Sequence, residues 1–454
     1  MTDTDFDLFV IGGGSGGVRA ARMAASMGVR TGLCESSDMG GTCVNLGCVP
    51  KKLFAYSSAY SAHFKDAAGF GWNRPEARFH WRQLVENKNK EIKRLNSIYS
   101  NLLTNSGVQV FLGHGHLEGP HTVRVGDQTL TATRILIATG STPAMLQIPG
   151  NEHCLVSDTL FHLPHLPKRM VVVGGGYIGI EFASIFQGLG CKVHVLHRGP
   201  RILKHFDTET VLHLQNELQK RGIVLHLNET VREITKGPEG LEVIGSSVRV
   251  PTDHVLMAVG RNPNSKSLNL ESAGIRLQSN GAIPVNEYLQ TSTPSIYAVG
   301  DVIDRAQLTP VALEEGMQLV RHLYGKNSTL PFSYTQIPTA VFTKPELASV
   351  GMTEAEAADK ITDVTVYASE FRAMKHTLSG NTQRAFMKLV VDEQTDIVLG
   401  CHMVGEGASE IIQGLAIALQ AGATKEHFDR TFGIHPTAAE EFVTMRTPRP
   451  KSEH

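Results

Sequence analysis

The chain lacks any uninterrupted apolar run of the roughly 18 residues that a membrane-spanning helix needs, so no membrane partner is expected. It also lacks net charge: 43 Lys and Arg against 44 Asp and Glu leave −1, which gives nucleic acid or another polyanion nothing to bind. Cysteine is scarce. The six thiols fall at 34, 43, 48, 154, 191 and 401, and only Cys43 and Cys48 are close in sequence. That spacing excludes the disulfide scaffold of a small secreted domain. The N-terminus, Met1-Thr2-Asp3-Thr4-Asp5, is acidic and meets a strand pattern almost at once, unlike a signal or transit peptide. A reducing cytoplasm is the expected compartment, where a disulfide is usually catalytic.

What is present points to several domains. The chain has 454 residues, too many for one core, with an ordinary 41% hydrophobic and 19% charged content. Phe6 to Ile11 is a short apolar β run. It leads into Gly12-Gly13-Gly14-Ser15-Gly16-Gly17, in which Gly12, Gly14 and Gly17 form G-x-G-x-x-G. Val18 to Met27 is helix-like, and Val29 to Glu35 reads as a strand ending in an acid. Strand, glycines, helix, strand and acid make a full dinucleotide fingerprint: a tight turn, a helix N-terminus for pyrophosphate, and Glu35 for a ribose hydroxyl pair.

A second fingerprint follows. Met170 to Val173 is a strand, Gly174, Gly176 and Gly179 repeat the glycine spacing, a helix runs to about Leu189, and Lys192 to Leu196 is the next strand. This strand ends in His197-Arg198, with Arg201 and Lys204 beyond, where the first has Glu35. Arg198 can grip a 2′-phosphate in bidentate fashion and Lys204 adds a point charge, so this site reads as one for NADP(H). Two fingerprints imply two nucleotide cofactors.

Between them lies Gly40-Gly41-Thr42-Cys43-Val44-Asn45-Leu46-Gly47-Cys48-Val49-Pro50-Lys51. On a regular helix, residues five apart have Cα atoms roughly 8–9 Å apart, beyond the span of about 4.4–6.8 Å that a disulfide tolerates. Cys43 and Cys48 can therefore pair only where the backbone leaves a regular helix, and Gly47 allows that. The pair stands either as a redox dithiol or as two buried free thiols. The glycines and the upstream fingerprint favour the first.

The pattern from Cys48 to about Ser106 is mostly helical, interrupted at Phe70-Gly71-Trp72 and Arg74-Pro75. Val108–Leu117, Thr122–Val125, Gln128–Thr131 and Ile135–Thr139 read as strands, and Gly140-Ser141-Thr142-Pro143 breaks the chain. Further strands are expected over Thr252–Val259 and Ser295–Val299, the latter followed by Gly300-Asp301 at its carboxyl end, where an acid reaches a ligand over a sheet edge. Beyond Tyr334, strands at Thr339–Phe342, Ala385–Val391 and Ile397–Val404 and helices at Ile411–Leu419 and Lys425–Phe432 make a third, α+β unit. It closes on His435, with Glu440 and Glu441 near it, a potential general acid/base with an orienting carboxylate. The expected architecture is α/β: two Rossmann-like dinucleotide-binding domains plus a C-terminal α+β domain. The divisions fall at 1–142, 143–264, 265–333 and 334–454, the third continuing the first.

The run at 40–52, Gly174 to Glu181, Ala258 to Asn264, Ile296 to Asp301 and His435 to Glu441, in that order, resemble the flavin-dependent disulfide reductases, and within that family the branch that reduces glutathione disulfide. The resemblance spans essentially the whole chain. It implies FAD in the first Rossmann site, with Glu35 on the adenosine ribose, Asp301 on the ribityl chain, and Ser15, Thr42, Thr139, Gly140 and Thr309 nearby. It implies NADPH in the second, held by Arg198, Lys204 and Arg261, with Tyr177 as a lid. Lys51 and Glu181 would be the ion pair beside the flavin's reactive nitrogen. Cys48 would face the flavin, and Cys43 would attack the substrate disulfide. His435, oriented by Glu440, would come from the other subunit, so the C-terminal unit is expected to form a homodimer. No metal is implied.

Arg22 and Tyr99 match substrate-binding positions of that branch. Arg22 argues against the cationic substrate of trypanothione reductases. Two departures stand out: Met317 replaces a second substrate arginine found in some members, and Lys204 replaces an arginine. Arg372 or Lys375 is expected to share carboxylate recognition, and lysine at 204 should weaken discrimination against NADH. Dihydrolipoamide dehydrogenase, the nearest alternative, has an acid where Arg198 stands. The tail 447–454 has no cysteine, against a large thioredoxin reductase or a mercuric reductase. The intact Cys43, Cys48, His435 and Glu440 set argues against a non-catalytic FAD-binding protein.

Overall fold

The computed structural model describes residues 4–73, 77–238, 240–326, 330–331 and 333–450. The expected interruption at Arg74-Pro75 lies outside them. The first unit opens with strand β1 (Phe6–Ile11), helix α1 (Ser15–Ser26) and strand β2 (Thr31–Glu35). Two helices follow, α2 (Gly41–Asn45) and α3 (Cys48–Asp66), then the long α4 (Trp81–Asn105). Four strands come next: β3 (Gln109–Leu112), β4 (Gly115–Gly119), β5 (Thr122–Val125) and β6 (Gln128–Ile137). The sheet order is β3-β2-β1-β6-β5-β4, and Ile296–Ala298 also pairs with β6. The doubly wound core is parallel, with Ile11 beside Cys34 and Ile137. Its strands read as continuous apolar runs because both faces are covered. Gly17 is required where α1 meets the sheet, since a Cβ there would lie 2.0 Å from the Gly12 carbonyl oxygen.

Two expectations about this sheet need correction. Val108–Leu117 is not one strand: it breaks at Gly113, which takes φ +147°, and resumes as β4. Gln128–Thr131 and Ile135–Thr139 are not separate, because β6 runs through them. Its first half pairs antiparallel with β5 and its second half parallel with Ile296–Ala298.

The second unit has an all-parallel sheet in the order Val224–Leu227, Lys192–His197, Arg169–Val173, His254–Met257. An antiparallel meander of Val231–Gly237, Gly240–Gly245 and Arg249–Thr252 lies beside it. The strand expected over Thr252–Val259 is split at Asp253. That carboxylate accepts the Lys168 and Arg169 N–H groups, each at 2.9 Å. Ser141–Pro143 and Arg261–Pro263 pair antiparallel where the chain passes between the units.

The third unit is a five-stranded antiparallel sheet in the order Thr339–Val341, Glu346–Gly351, Val398–Gly405, Ala385–Asp392, Val364–Phe371. Ala408–Gln420 is a helix as expected, and Lys425–Arg430 is shorter than expected.

An aromatic cluster joins the first two units. Phe54 on α3 packs at 5.2 Å from Trp81 and 5.5 Å from Phe161, and Trp81 Nε1 donates to the Leu163 carbonyl. The Tyr177–Gly188 helix lies against α3, so residues of the two meet. Among the described residues no helix is long and apolar enough to cross a membrane.

Candidate active site

The backbone between the two cysteines departs from a helix. Cys43 sits in α2, which ends at Asn45, and Cys48 is the first residue of α3. Gly47 makes the break: a Cβ there would lie 2.9 Å from the Thr42 carbonyl oxygen. The thiols are free, with Cys43 half-buried and Cys48 exposed. They are hydrogen-bonded to each other, and their environments push them apart. The bond from Cys43 does most to lower Cys48, to about 6; burial opposes it, and Thr309 and the Lys51 charge reinforce it. The same bond, then burial and the Cys48 charge, raise Cys43. Position gives an independent reason for this order. Cys48 occupies the N-terminus of a 19-residue helix, where the dipole favours a thiolate. Its Sγ lies 3.7 Å from Thr309 Oγ1, at the start of the Thr309–Tyr324 helix.

One turn into α3, Lys51 Nζ meets Glu181 Oε1 at 2.8 Å, and both side chains are largely buried. Glu181 is on the helix that follows the second glycine loop.

The two nucleotide loops are built alike. Gly13 N–H donates to Glu35 Oε2 at 2.7 Å, and Gly175 N–H donates to His197 Nδ1 at 3.1 Å. His197 thus occupies the place of the acid. Burial does most to favour its neutral form; a hydrogen bond with the Arg201 backbone opposes this, and the Arg198 and Lys204 charges add smaller pushes in the same direction as burial. The accepting Nδ1 leaves the proton on Nε2. Arg198 and Lys204 are exposed. Arg201 donates instead to the carbonyls of Phe206 and Lys204, at 3.1 and 2.9 Å, and braces the loop that carries Lys204.

Asp301 accepts from Ser141 Oγ at 2.6 Å, and Arg261 donates to Ser141 Oγ and its carbonyl, each at 2.7 Å. Thr139 Oγ1 donates to the Asn264 carbonyl at 2.7 Å, and Asn264 N–H to that of Gly140 at 2.9 Å. Tyr177 stands partly exposed at the start of its helix. The donor set fits FAD and NADPH: each loop opens on a helix N-terminus with free N–H groups. A Cβ at Gly176 would meet nothing within 4 Å, which leaves room at the second loop.

Beside Cys43, Tyr99 is half-buried. Burial and the Cys43 charge raise its hydroxyl, while Arg19 and Arg22 pull it down. The charges of Arg19 and Arg22 thus act on Tyr99. Sequence reasoning did not single out Arg19 as a neighbour of this cluster; its spacing of three from Arg22 on α1, which puts both on one helix face, was the available signal. The expected stand-ins for the arginine lost at Met317 are engaged elsewhere. Arg372 donates to the carbonyls of Asn381 and His376, and Lys375 pairs with Glu406 at 2.8 Å.

His435 Nδ1 lies 3.1 Å from Glu440 Oε1, and the histidine side chain is 82% exposed. Phe432 and Ile434 beside it are also exposed. Within one chain, the hydrogen-bonding neighbours of Cys43 are Cys48, Thr309 and Ser15, and His435 is not one of them.

Residues 6–316 match the model of the pyridine nucleotide-disulphide oxidoreductases, and residues 337–446 match the dimerisation domain of the same group. The chain is 47% identical to glutathione reductase from Burkholderia cepacia over 450 residues, covering 99% of this chain and all of the relative. It is 46% identical to the chloroplastic/mitochondrial glutathione reductase of Pisum sativum, covering 98% and 83%. Trypanothione reductase from Leishmania donovani is 39% identical, covering 98% and 96%. Among solved structures, the HOCl-induced flavoprotein disulfide reductase RclA from Escherichia coli superposes with a TM-score of 0.89 at 27% identity, covering 97% of this chain and 99% of that one. With two family models between them spanning nearly its whole length, and such relatives aligned end to end, the chain belongs to the pyridine nucleotide-disulphide oxidoreductase family.

Proposed function

We propose that this enzyme reduces glutathione disulfide with NADPH, through FAD and the Cys43–Cys48 dithiol, as a homodimer. The asymmetric thiol pair carries this reading: a stabilised thiolate at Cys48 beside Lys51–Glu181, and a protonated Cys43 beside Arg19, Arg22 and Tyr99. A bound FAD would supply the two-electron, hydride-accepting chemistry that links NADPH to the Cys43–Cys48 disulfide. Arg198 and Lys204 would hold the 2′-phosphate, Tyr177 would cover the nicotinamide pocket, and Glu35 and Asp301 would hold the flavin nucleotide, with Ser15, Thr42, Thr139, Gly140, Thr309 and Arg261 around these sites. Lys51 would place a positive charge at the flavin edge, oriented by Glu181.

The rest is thiol chemistry. His435 of the partner subunit takes the Cys43 proton on Nε2, with Glu440 on the other ring nitrogen. The Cys43 thiolate attacks one sulfur of the substrate, forming a mixed disulfide and releasing one glutathione thiolate, which receives that proton. The Cys48 thiolate then attacks the Cys43 sulfur, closing Cys43–Cys48 and releasing the second glutathione as a thiolate, which takes a proton from solvent. Substrate carboxylates fall to Arg22 and Arg19. The second arginine offsets Met317 and disfavours a cationic disulfide.

Domain limits at 142, 264 and 333 and action in the cytoplasm complete the proposal; the interruption of the first domain by the second and the reducing conditions a labile dithiol needs support them. The test is an assay of NADPH and NADH with glutathione disulfide, lipoamide and trypanothione disulfide. Fast turnover is expected only for NADPH with glutathione disulfide, and a preference for NADH with lipoamide would overturn the reading.

A further inference from the structure

Phe342 follows the strand Thr339–Val341 in the third unit, yet its contacts lie in the other two. Its N–H donates to Glu181 Oε1 at 2.8 Å, the oxygen that also receives Lys51 Nζ at 2.8 Å. Two residues on, Lys344 N–H donates to Ser184 Oγ at 2.9 Å. Glu181 and Ser184 are three apart on one helix, so this connection is bonded to one helical face at two points. The ring makes a second attachment. Lys51 Nζ lies 3.9 Å and Lys52 Nζ 3.8 Å from its centroid. An ammonium group at that range is held by the negative face of the ring, and the more firmly where water is sparse. Both ammonium groups share the ring, but their carboxylates differ: Lys52 pairs with Glu346 at 3.7 Å and Lys51 with Glu181 at 2.8 Å.

A lysine has four rotatable bonds, so one carboxylate does not fix where its charge stands. Here the carboxylate is pinned by the Phe342 N–H and the ammonium by the Phe342 ring. The first unit supplies Lys51, the second Glu181, and the third the residue that clamps both.

We propose that Phe342 is a positioning residue for the Lys51–Glu181 pair, and that the π face of its ring fixes the charge that Cys48 and the flavin edge experience. The inference rests on the placement of Lys51 beside the flavin in the proposed function. A role in packing alone would be met by any apolar side chain of similar size, whereas this role needs an aromatic one.

The test compares F342L and F342M with F342Y, each in the FAD-loaded dimer and in a Cys43→Ala background, where Cys48 alkylation by iodoacetamide is followed against pH. With the clamp lost, Lys51 supports the thiolate less. F342L and F342M should alkylate Cys48 roughly three- to ten-fold more slowly at neutral pH, with the midpoint moved upward, and F342Y should follow the parent. With Cys43 present, flavin reduction by NADPH in a stopped-flow instrument should slow by a similar factor in the two apolar variants. Loss of bound FAD from both, with retention in F342Y, also supports the role of the ring. A parental alkylation midpoint in F342L or F342M, or a shift in F342Y as large as in F342L, overturns it. No disulfide substrate enters these measurements, so they remain decisive whichever disulfide the enzyme prefers.

Discussion

The choice between the two nicotinamide nucleotides can be tested at Arg198. At the end of Lys192–His197 the glycine-loop N–H is taken by a neutral imidazole rather than a carboxylate, so nothing there repels a phosphate. Arg201 is bound to backbone carbonyls, which leaves Arg198 and Lys204, both exposed. A charge-assisted hydrogen bond contributes about 1.5–3 kcal/mol, which is about ten- to hundred-fold in kcat/KM. Arg198 can make two such bonds and Lys204 one solvated contact, so we expect R198M to lower kcat/KM for NADPH about a hundred-fold and K204M about ten-fold. NADH has no 2′-phosphate, and its kcat/KM should stay within about two-fold in both variants. Steady-state kinetics with each nucleotide at saturating glutathione disulfide measure this. An equal loss with NADPH and NADH in R198M would refute the reasoning, because it would assign Arg198 to the loop's shape rather than to the phosphate.

Other expectations concern the thiols, the substrate and the joint between units. Cys43→Ala removes the hydrogen bond that does most to lower Cys48, so the pH midpoint of Cys48 alkylation should rise from about 6 toward the ordinary 9.0; an unchanged midpoint would mean that Lys51 and the helix terminus suffice. R19A should raise KM for glutathione disulfide roughly three- to ten-fold, as an exposed charge contact allows, and leave KM for NADPH unchanged; equal KM values for the disulfide would remove Arg19 from the site. Lys388, 1% exposed, lies 3.0 Å from both Asp207 oxygens and 2.6 Å from Glu354, so K388M strands a buried carboxylate at a cost of about 3–5 kcal/mol. Its melting temperature should fall by roughly 10 °C and partly recover in K388M/D207N, and a fall below about 2 °C would show that the cluster relaxes. Burial pushes the Asp207 carboxyl up, but His402, Lys388 and the Thr210 N–H outweigh it and hold it at about 2, against 3.8 when free. A depressed carboxylate stabilises the fold above its free value, so this contribution should be complete above pH 4 and disappear as pH falls from about 4 to 2 in acid unfolding.

The parts that sequence carried were local. Strand, glycines, helix, strand and terminal acid lie within Phe6–Glu35, and each constrains its neighbours over a few positions. The break between Cys43 and Cys48 was legible for the same reason: the length of a disulfide conflicts with helix geometry, and Gly47 stands where the conflict must be relieved. What depends on distant partners was not legible. β6 is one strand because it changes partner midway, from β5 to Ile296–Ala298, and no local pattern records that. Val231–Gly237, Gly240–Gly245 and Arg249–Thr252 mix buried with exposed positions and polar with apolar residues, so they lack a long apolar run. Phe342 reads as the end of a strand, and its contact with Glu181 spans 161 positions.

The order of the two cysteines decides their division of labour. Both are surrounded by similar atoms, and each is the other's hydrogen-bond partner. Only Cys48 begins a long helix, and only Cys48 has Lys51 one turn ahead of it. Cys43 lies in a helix of five residues, too short to offer a comparable field. The negative charge of the reduced pair therefore settles on Cys48, and the proton remains on Cys43 until a base removes it. Within one chain the proposed base, His435, is not among the groups that act on Cys43; it is exposed and bound to Glu440, beside uncovered Phe432 and Ile434. A single chain can thus hold the reduced dithiol, but the thiol proposed to attack the substrate is the one left protonated. Burying that exposed surface against a second copy is what would bring it a base, so in the proposed mechanism the homodimer completes the chemistry as well as the fold.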